Sequence, residues 1–210
     1  MNEGTQHTAF RRPAAGRRGG RPLAVLVRGG WPQIRKAGEV AGLPAAGLAG
    51  AAEHSDRTGA DGLRLRACIL LFSPACDTVL LVASSSRAGA WVVPGGGIEP
   101  GETPSACALR ELWEEAGAVP CGACVPLSAA PLQCKRSVTT PFACRLGRLE
   151  EAYPESGARE RRWVPLLEVP AALAGSAVGA AVWAAAMEAL CPPGAAPSAA
   201  AILAKLSAEQ

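Results

Sequence analysis

The sequence predicts an α/β domain behind a disordered basic tail, and three observations carry that reading. Apolar runs of strand length occupy 64–72 and 78–83. A capped helical pattern begins at Thr103. Residues 1–60, by contrast, are dominated by Ala, Gly, Pro and Arg and hold no sustained period of either kind. A chain of 210 residues suits one domain of ordinary size plus a remainder. We divide it into a tail at 1–60, a folded domain at 61–191 and a C-terminal tail at 192–210.

Order is expected to start near Gly62. Residues 64–72 alternate at first and are then continuously apolar, which reads as a strand entering a core. Pro74 and Asp77 mark a turn, and 78–83 form the second strand. Trp91-Val92-Val93 is a short extended piece, stopped by Pro94 and the glycines at 95–97. Thr103 is placed as an N-cap, Pro104 at the first helical position and Gly117 just past the helix end. Two or three strands are expected between 121 and 164, interrupted by Pro126, Pro131, Pro141 and Pro154. Helices fit 165–173 and 178–190. Pro192-Pro193-Gly194 ends the domain, and 197–208 reads as a loose final helix.

Charge separates the tail from the domain. Residues 1–60 carry nine Lys/Arg against four Asp/Glu, while 61–210 carry twelve against fourteen. A formal net charge of +3 does not by itself point to a nucleic-acid partner. No apolar run approaches the roughly 20 residues of a membrane span, and the first twenty residues lack the apolar stretch of a secretory signal. A cytoplasmic or nuclear setting is therefore expected, with the eight cysteines as reduced thiols. An organelle transit segment is the alternative reading of 1–36, where Glu3 is the one acid among eight basic residues.

The chemistry is concentrated in Gly96-Gly97-Ile98-Glu99-Pro100-Gly101-Glu102 and Arg110-Glu111-Leu112-Trp113-Glu114-Glu115-Ala116-Gly117. On a helix, Glu111, Glu114 and Glu115 can share one face. Three like charges there call for neutralisation, and hard divalent cations with oxygen ligands are natural candidates. Arg110 can brace a carboxylate through a forked hydrogen bond. Glycines ahead of the helix let the main chain pass close to a metal and offer carbonyl oxygens.

This segment resembles the Nudix box, Gly-x5-Glu-x7-Arg-Glu-U-x-Glu-Glu-x-Gly-U with U a bulky aliphatic, from Gly96 to Gly117. Leu112 fills the first U, and Ala118 is small at the last. The resemblance implies an α/β/α sandwich around a mixed sheet. It also implies cleavage of nucleoside diphosphates linked to another moiety, and of related pyrophosphates, with Mg2+ or alternatively Mn2+.

Beyond the box, Asp61 to Ala67, Ser84-Ser85-Ser86-Arg87 and Trp91 to Pro100 resemble the diphosphoinositol polyphosphate phosphohydrolases, which also hydrolyse diadenosine polyphosphates. That likeness places Arg64, Arg66, Ser85, Ser86, Arg87, Lys135, Arg136 and Arg159 where the subfamily grips substrate phosphates. It implies metal held by Glu111, Glu115 and the Gly95 carbonyl, with Glu114 as the general base. The residues alone leave base and ligand interchangeable among 111, 114 and 115. Gly96, Glu102 and Arg110 are expected to stand behind them, orienting the loop. Two departures are visible: the loop at 174–178 lacks the subfamily's lysine, and Arg162 replaces its acid before Trp163. The expected partner is a small polyphosphate, with neither membrane nor nucleic acid involved.

Three rival readings stand beside this one. A Nudix-fold binding module without catalysis would be expected to lack box glutamates, and none is missing. Zinc at Cys121 and Cys124, with Cys134 and Cys144, rests on one Cys-x-x-Cys whose members point to opposite faces of a strand. Substrates such as mRNA caps, ADP-ribose or oxidised nucleotides favour stacking aromatics, which are scarce at 4%.

Overall fold

The computed structural model describes residues 58–59 and 61–208, so the tail expected at 1–60 lies outside the described residues except for Thr58 and Gly59. The first strand, β1 (Arg64–Phe72), is open to solvent at its start and buried from Ala67 onward. Alternation governs which layer each side chain enters. Ala67, Ile69 and Leu71 face one core, and Cys68, Leu70 and Phe72 the other. Burial on both faces is why the second half of the strand reads as an unbroken apolar run.

The remaining strands are β2 (Thr78–Ala83), β3 (Trp91–Val92), β4 (Gly95–Gly97), β5 (Ala118–Pro126), β6 (Leu132–Cys134), β7 (Ser137–Leu149) and β8 (Arg161–Pro165). They form one eight-stranded sheet with the order β3-β2-β1-β7-β5, while β4 pairs with β1, β6 with β7 and β8 with β2. The sheet is mixed: β1 and β7 run parallel, from Arg64 beside Ser137 to Phe72 beside Arg145, and β2 and β8 run antiparallel. Helix α1 (Pro104–Ala116) covers one face, packing Cys107, Ala108, Leu112 and Ala116 onto it. On the other face lie α2 (Val169–Leu173), α3 (Ala177–Leu190) and α4 (Ala199–Ala208). The result is a sandwich of helices around a mixed sheet, the architecture the sequence predicts.

Two expectations need correction. The glycines at 95–97 do not stop the chain; they pair antiparallel with Arg66–Cys68. A Cβ on Gly95 would lie 2.5 Å from the Ala67 carbonyl oxygen and from Cys68 Cβ, so this close pairing requires glycine. The interval 121–164, read as two or three strands, takes part in four, and Pro141, expected to interrupt, lies inside β7. Pro120 sits at a register shift on the edge strand β5. Pro141 lies between the stretch of β7 paired with β6 and the stretch paired with β5. Its carbonyl accepts the Leu127 N–H at 3.0 Å, so its nitrogen faces the same gap and its missing donor breaks no ladder there.

The helix expected at 165–173 is realised as a 3-10 turn at Leu166–Glu168 followed by α2. Ser176 caps α3, its side-chain oxygen accepting the Gly179 N–H at 3.0 Å. The final helix is docked, with Ile202 and Leu206 buried in the core beneath α3. Cys124 on β5 is half-buried and packs against the core cluster that includes the buried Cys144 of β7. No helix among the described residues is long and apolar enough to cross a membrane.

Candidate active site

Helix α1 begins and ends as its sequence demands. Thr103 Oγ1 accepts the Ala106 N–H at 3.2 Å, Pro104 opens the first turn, and Gly117 closes the helix in the left-handed region at φ 59. These caps fix the phase of the helix, so that Arg110, Glu111 and Glu115 meet the glycine strand β4 and Glu114 lies beside them on Arg110.

Arg110 is the hub. Its Nε donates to Glu102 Oε1 at 2.8 Å and its Nη2 to Glu102 Oε2 at 3.0 Å, a forked pair. Nη1 donates to Glu111 Oε1 at 2.7 Å and Glu114 Oε2 at 3.2 Å, and Nη2 also reaches the Gly97 carbonyl at 3.0 Å. Three carboxylates thus converge on one guanidinium, and its bonds to Glu102 first and then to Glu111 push the Arg110 pKa still higher. Partial burial works to raise the Glu102 pKa, but bonds from Arg110 and from the Glu99 N–H outweigh it and hold the carboxyl below its ordinary value.

Glu111 lies directly over the glycine strand. A Cβ on Gly96 would fall 2.1 Å from Glu111 Oε1. Glu115 reaches the same strand, accepting the Gly95 N–H at 3.1 Å. It is buried, and Arg159 Nη1 pairs with it at 2.7 Å. Burial raises its pKa to about 7, against the opposing pull of Arg159. Among the described residues no three His, Cys, Asp or Glu side chains are placed together to hold a metal ion. The box carboxylates are instead divided between Arg110 and Arg159.

The sheet topology brings the other candidate residues to one end. β1 and β7 start there, β2 ends there, and β8 starts there. Arg64 and Arg136 meet through the Arg64 N–H and the Arg136 carbonyl at 2.9 Å. Lys135 occupies the β6–β7 turn with φ 52. Arg66 Nη2 donates to the Gly95 carbonyl at 3.0 Å. Ser85, Ser86 and Arg87 are exposed in the β2–β3 loop, and the Arg87 guanidinium is bonded to the Gly175 carbonyl, tying that loop to the α2–α3 turn. Arg159 lies deeper than its neighbours, bridging Glu115 and, through Nε at 2.7 Å, Glu155.

Several participants escaped the sequence reading. Glu155 precedes Arg159 by four, a charge spacing that could have flagged it. Arg162 stacks over the Trp91 ring at 4.2 Å, which gives the substituted acid position a local role. Tyr153 carried no signal beyond being the one tyrosine of the chain.

A NUDIX domain model matches residues 62–185. The chain belongs to the Nudix family. The Nudix box just described is thus read in its family setting. Among curated proteins, diphosphoinositol polyphosphate phosphohydrolase 3-alpha of Mus musculus is 52% identical over 58 residues, 27% of this chain and 35% of that protein. Diphosphoinositol polyphosphate phosphohydrolase 2 of Homo sapiens is likewise 52% identical over 58 residues, 27% of this chain and 32% of that protein. The match thus spans about a third of the length of these relatives. Among solved structures, a chain from a study of MutT from Aliivibrio salmonicida and Vibrio cholerae has 15% identity and a TM-score of 0.45, covering 58% of this chain and 94% of that one.

Proposed function

We propose that this Nudix protein hydrolyses phosphoanhydride bonds, with diphosphoinositol polyphosphates as first substrates and diadenosine polyphosphates second. The observation that carries the reading is the meeting, at one end of the sheet, of the arginine-braced glutamates and a cluster of basic side chains. A dense polyanion needs several guanidinium and ammonium groups around its phosphates. Arg64, Arg66, Arg87, Lys135 and Arg136, with the hydroxyls of Ser85 and Ser86, are proposed to supply them. Arg159, already shared by Glu115 and Glu155, contributes at the inner margin.

Two carboxylates and a carbonyl along one glycine strand are hard oxygen donors, and they suit a hard divalent cation. Glu111, Glu115 and the Gly95 carbonyl would hold Mg2+, or Mn2+ in its place, which when bound supplies positive charge against the charge developing on the phosphate oxygens. Glu114 is the proposed general base. Its side chain is 39% exposed, against 14% for Glu111 and 7% for Glu115. Its 3.2 Å contact with Arg110 is longer than the 2.7 Å contact of Glu111. It is therefore the glutamate best able to take a proton from an attacking water. Glu102 orients the loop by accepting the Glu99 N–H at 2.9 Å while gripping Arg110.

The test is phosphate release by the full chain from diphosphoinositol pentakisphosphate, diadenosine hexaphosphate, ADP-ribose and capped RNA, with Mg2+ and then with a chelator. Turnover of the first two, lost on chelation, is expected. Preference for ADP-ribose or capped RNA would keep hydrolysis and discard the inositol substrate. No turnover, with melting still raised by Mg2+, would leave a binding module.

The neighbouring glycines are expected to respond differently to alanine. On Gly95 the new Cβ meets the backbone of β1 at 2.5 Å, and Gly95→Ala is expected to cost about 1–3 kcal/mol in urea denaturation. On Gly96 it meets only the Glu111 carboxylate among its three nearest atoms, which can swing aside. Gly96→Ala is therefore expected to melt within about 1 kcal/mol of the parent yet lose most of its turnover. Equal melting of the two variants would contradict this division.

A further inference from the structure

The segment 150–161 closes over the end of α1, with Tyr153 at its centre. The ring lies on Gly117: a Cβ there would be 2.6 Å from Tyr153 Cδ1. The Tyr153 hydroxyl donates to the Arg159 carbonyl at 3.1 Å. Arg161 stacks on the ring, 4.7 Å from its centroid, and donates to the Ala116 carbonyl. Nearby, the Glu155 N–H donates to the Glu114 carbonyl at 3.0 Å and the Glu150 N–H to the Gly117 carbonyl at 2.8 Å. The carbonyls of Glu114 and Ala116, left without partners inside the helix at its last turn, are thus satisfied by this one segment.

We infer that Tyr153 is a positioning residue for the hydrolysis, holding Glu115 through Arg159 and fixing the helix end that presents Glu114. The inference rests on the hydrolase reading above and deepens it. The chain of contacts is short. The hydroxyl fixes the Arg159 backbone, the Arg159 guanidinium grips Glu115 at 2.7 Å, and Glu115 in turn meets the Gly95 N–H. On the other side, the ring and Arg161 hold the left-handed turn at Gly117. Tyr153 itself stands behind the carboxylates, so it acts first on rate and on cation affinity and touches substrate capture only through Arg159.

The test uses the full chain as Tyr153→Phe, which keeps the ring on Gly117 and the Arg161 stack and removes one hydrogen bond, and as Tyr153→Ala, which removes all three. The readouts are kcat and KM on diadenosine hexaphosphate, and the affinity for Mn2+ alone by paramagnetic resonance of the free ion. For Tyr153→Phe, kcat is expected to fall about threefold to tenfold, with KM within about twofold. Mn2+ is expected to bind about threefold more weakly, and Tyr153→Ala to magnify both losses. Parent values of kcat and Mn2+ affinity in a folded Tyr153→Phe would overturn the inference, and so would a rise in KM with kcat unchanged. Should Tyr153→Ala fail to fold, Tyr153→Phe decides alone. Should the parent chain turn over none of the substrates, the hydrolase reading falls by itself, and the Mn2+ affinities still decide whether Tyr153 positions the carboxylates.

Discussion

Replacing Glu114 by Gln is expected to lower kcat by about 10²–10⁴-fold, the usual span for removing a general base. The change is nearly isosteric, and at 39% side-chain exposure it leaves no buried charge unpaired. Stability should therefore stay within about 0.5 kcal/mol of the parent, which separates chemistry from folding. Glu114 accepts from Arg110 Nη1 at 3.2 Å, and the amide oxygen of Gln can still take that bond. Arg110 consequently keeps its hold on Glu102 and Glu111, and the rest of the glutamate cluster is undisturbed. The measurement is steady-state turnover of diadenosine hexaphosphate with Mg2+, alongside Glu111→Gln. If Glu114→Gln retained parental kcat, the base assignment would be wrong; Glu111→Gln, a change at a proposed metal ligand, is expected to lose turnover either way.

How far the site could be read from sequence follows the range of the forces involved. Helix α1 was fully legible because Thr103, Pro104 and Gly117 act within a turn of themselves, and the structure has each in the expected place. Strands β1 and β2 were legible because alternation and apolar runs are local too. The glycine strand was misread: three glycines look like a break unless one knows that Cys68 and Ala67 lie 2.5 Å from where a Cβ would stand. Pro141 was misread for the same reason. A proline is harmless in a central strand only where the neighbours hand over, and that handover depends on the register of β5, β6 and β7. The union of Arg159 with Glu115 joins residues 44 apart in sequence, one just ahead of β8 and the other at the end of α1. No local period encodes it. The basic candidates were named from resemblance, but their gathering at one sheet end comes from strand order, which no single segment specifies.

That non-local pair makes the second large prediction. Glu115 and Arg159 have side chains 7% and 12% exposed and meet at 2.7 Å, so each has given up most of its hydration for the other. Removing one partner of such a pair leaves a buried charge without compensation, at a cost of about 3–5 kcal/mol. Burial already lifts the Glu115 carboxyl to about 7, so the orphaned group is charged only well above that pH. Arg159→Ala is therefore expected to lower the free energy of unfolding toward that amount at about pH 9 and by much less at about pH 6, measured by urea denaturation with a chelator present. Glu155 is 39% exposed and can rehydrate, so its loss of the same partner adds little. The decisive comparison is the double variant Arg159→Ala/Glu115→Gln. If the cost is the orphaned carboxylate, the added Gln removes the charge and should recover about half or more of the loss, a strongly non-additive cycle. If the cost is packing of the Arg159 stem, the two changes should add instead. Recovery would show that the glutamate at the heart of the box depends, once ionised, on a partner distant in sequence. The Nudix helix would then depend on the segment leading into β8 for its electrostatics, as it does on Arg161 for its cap.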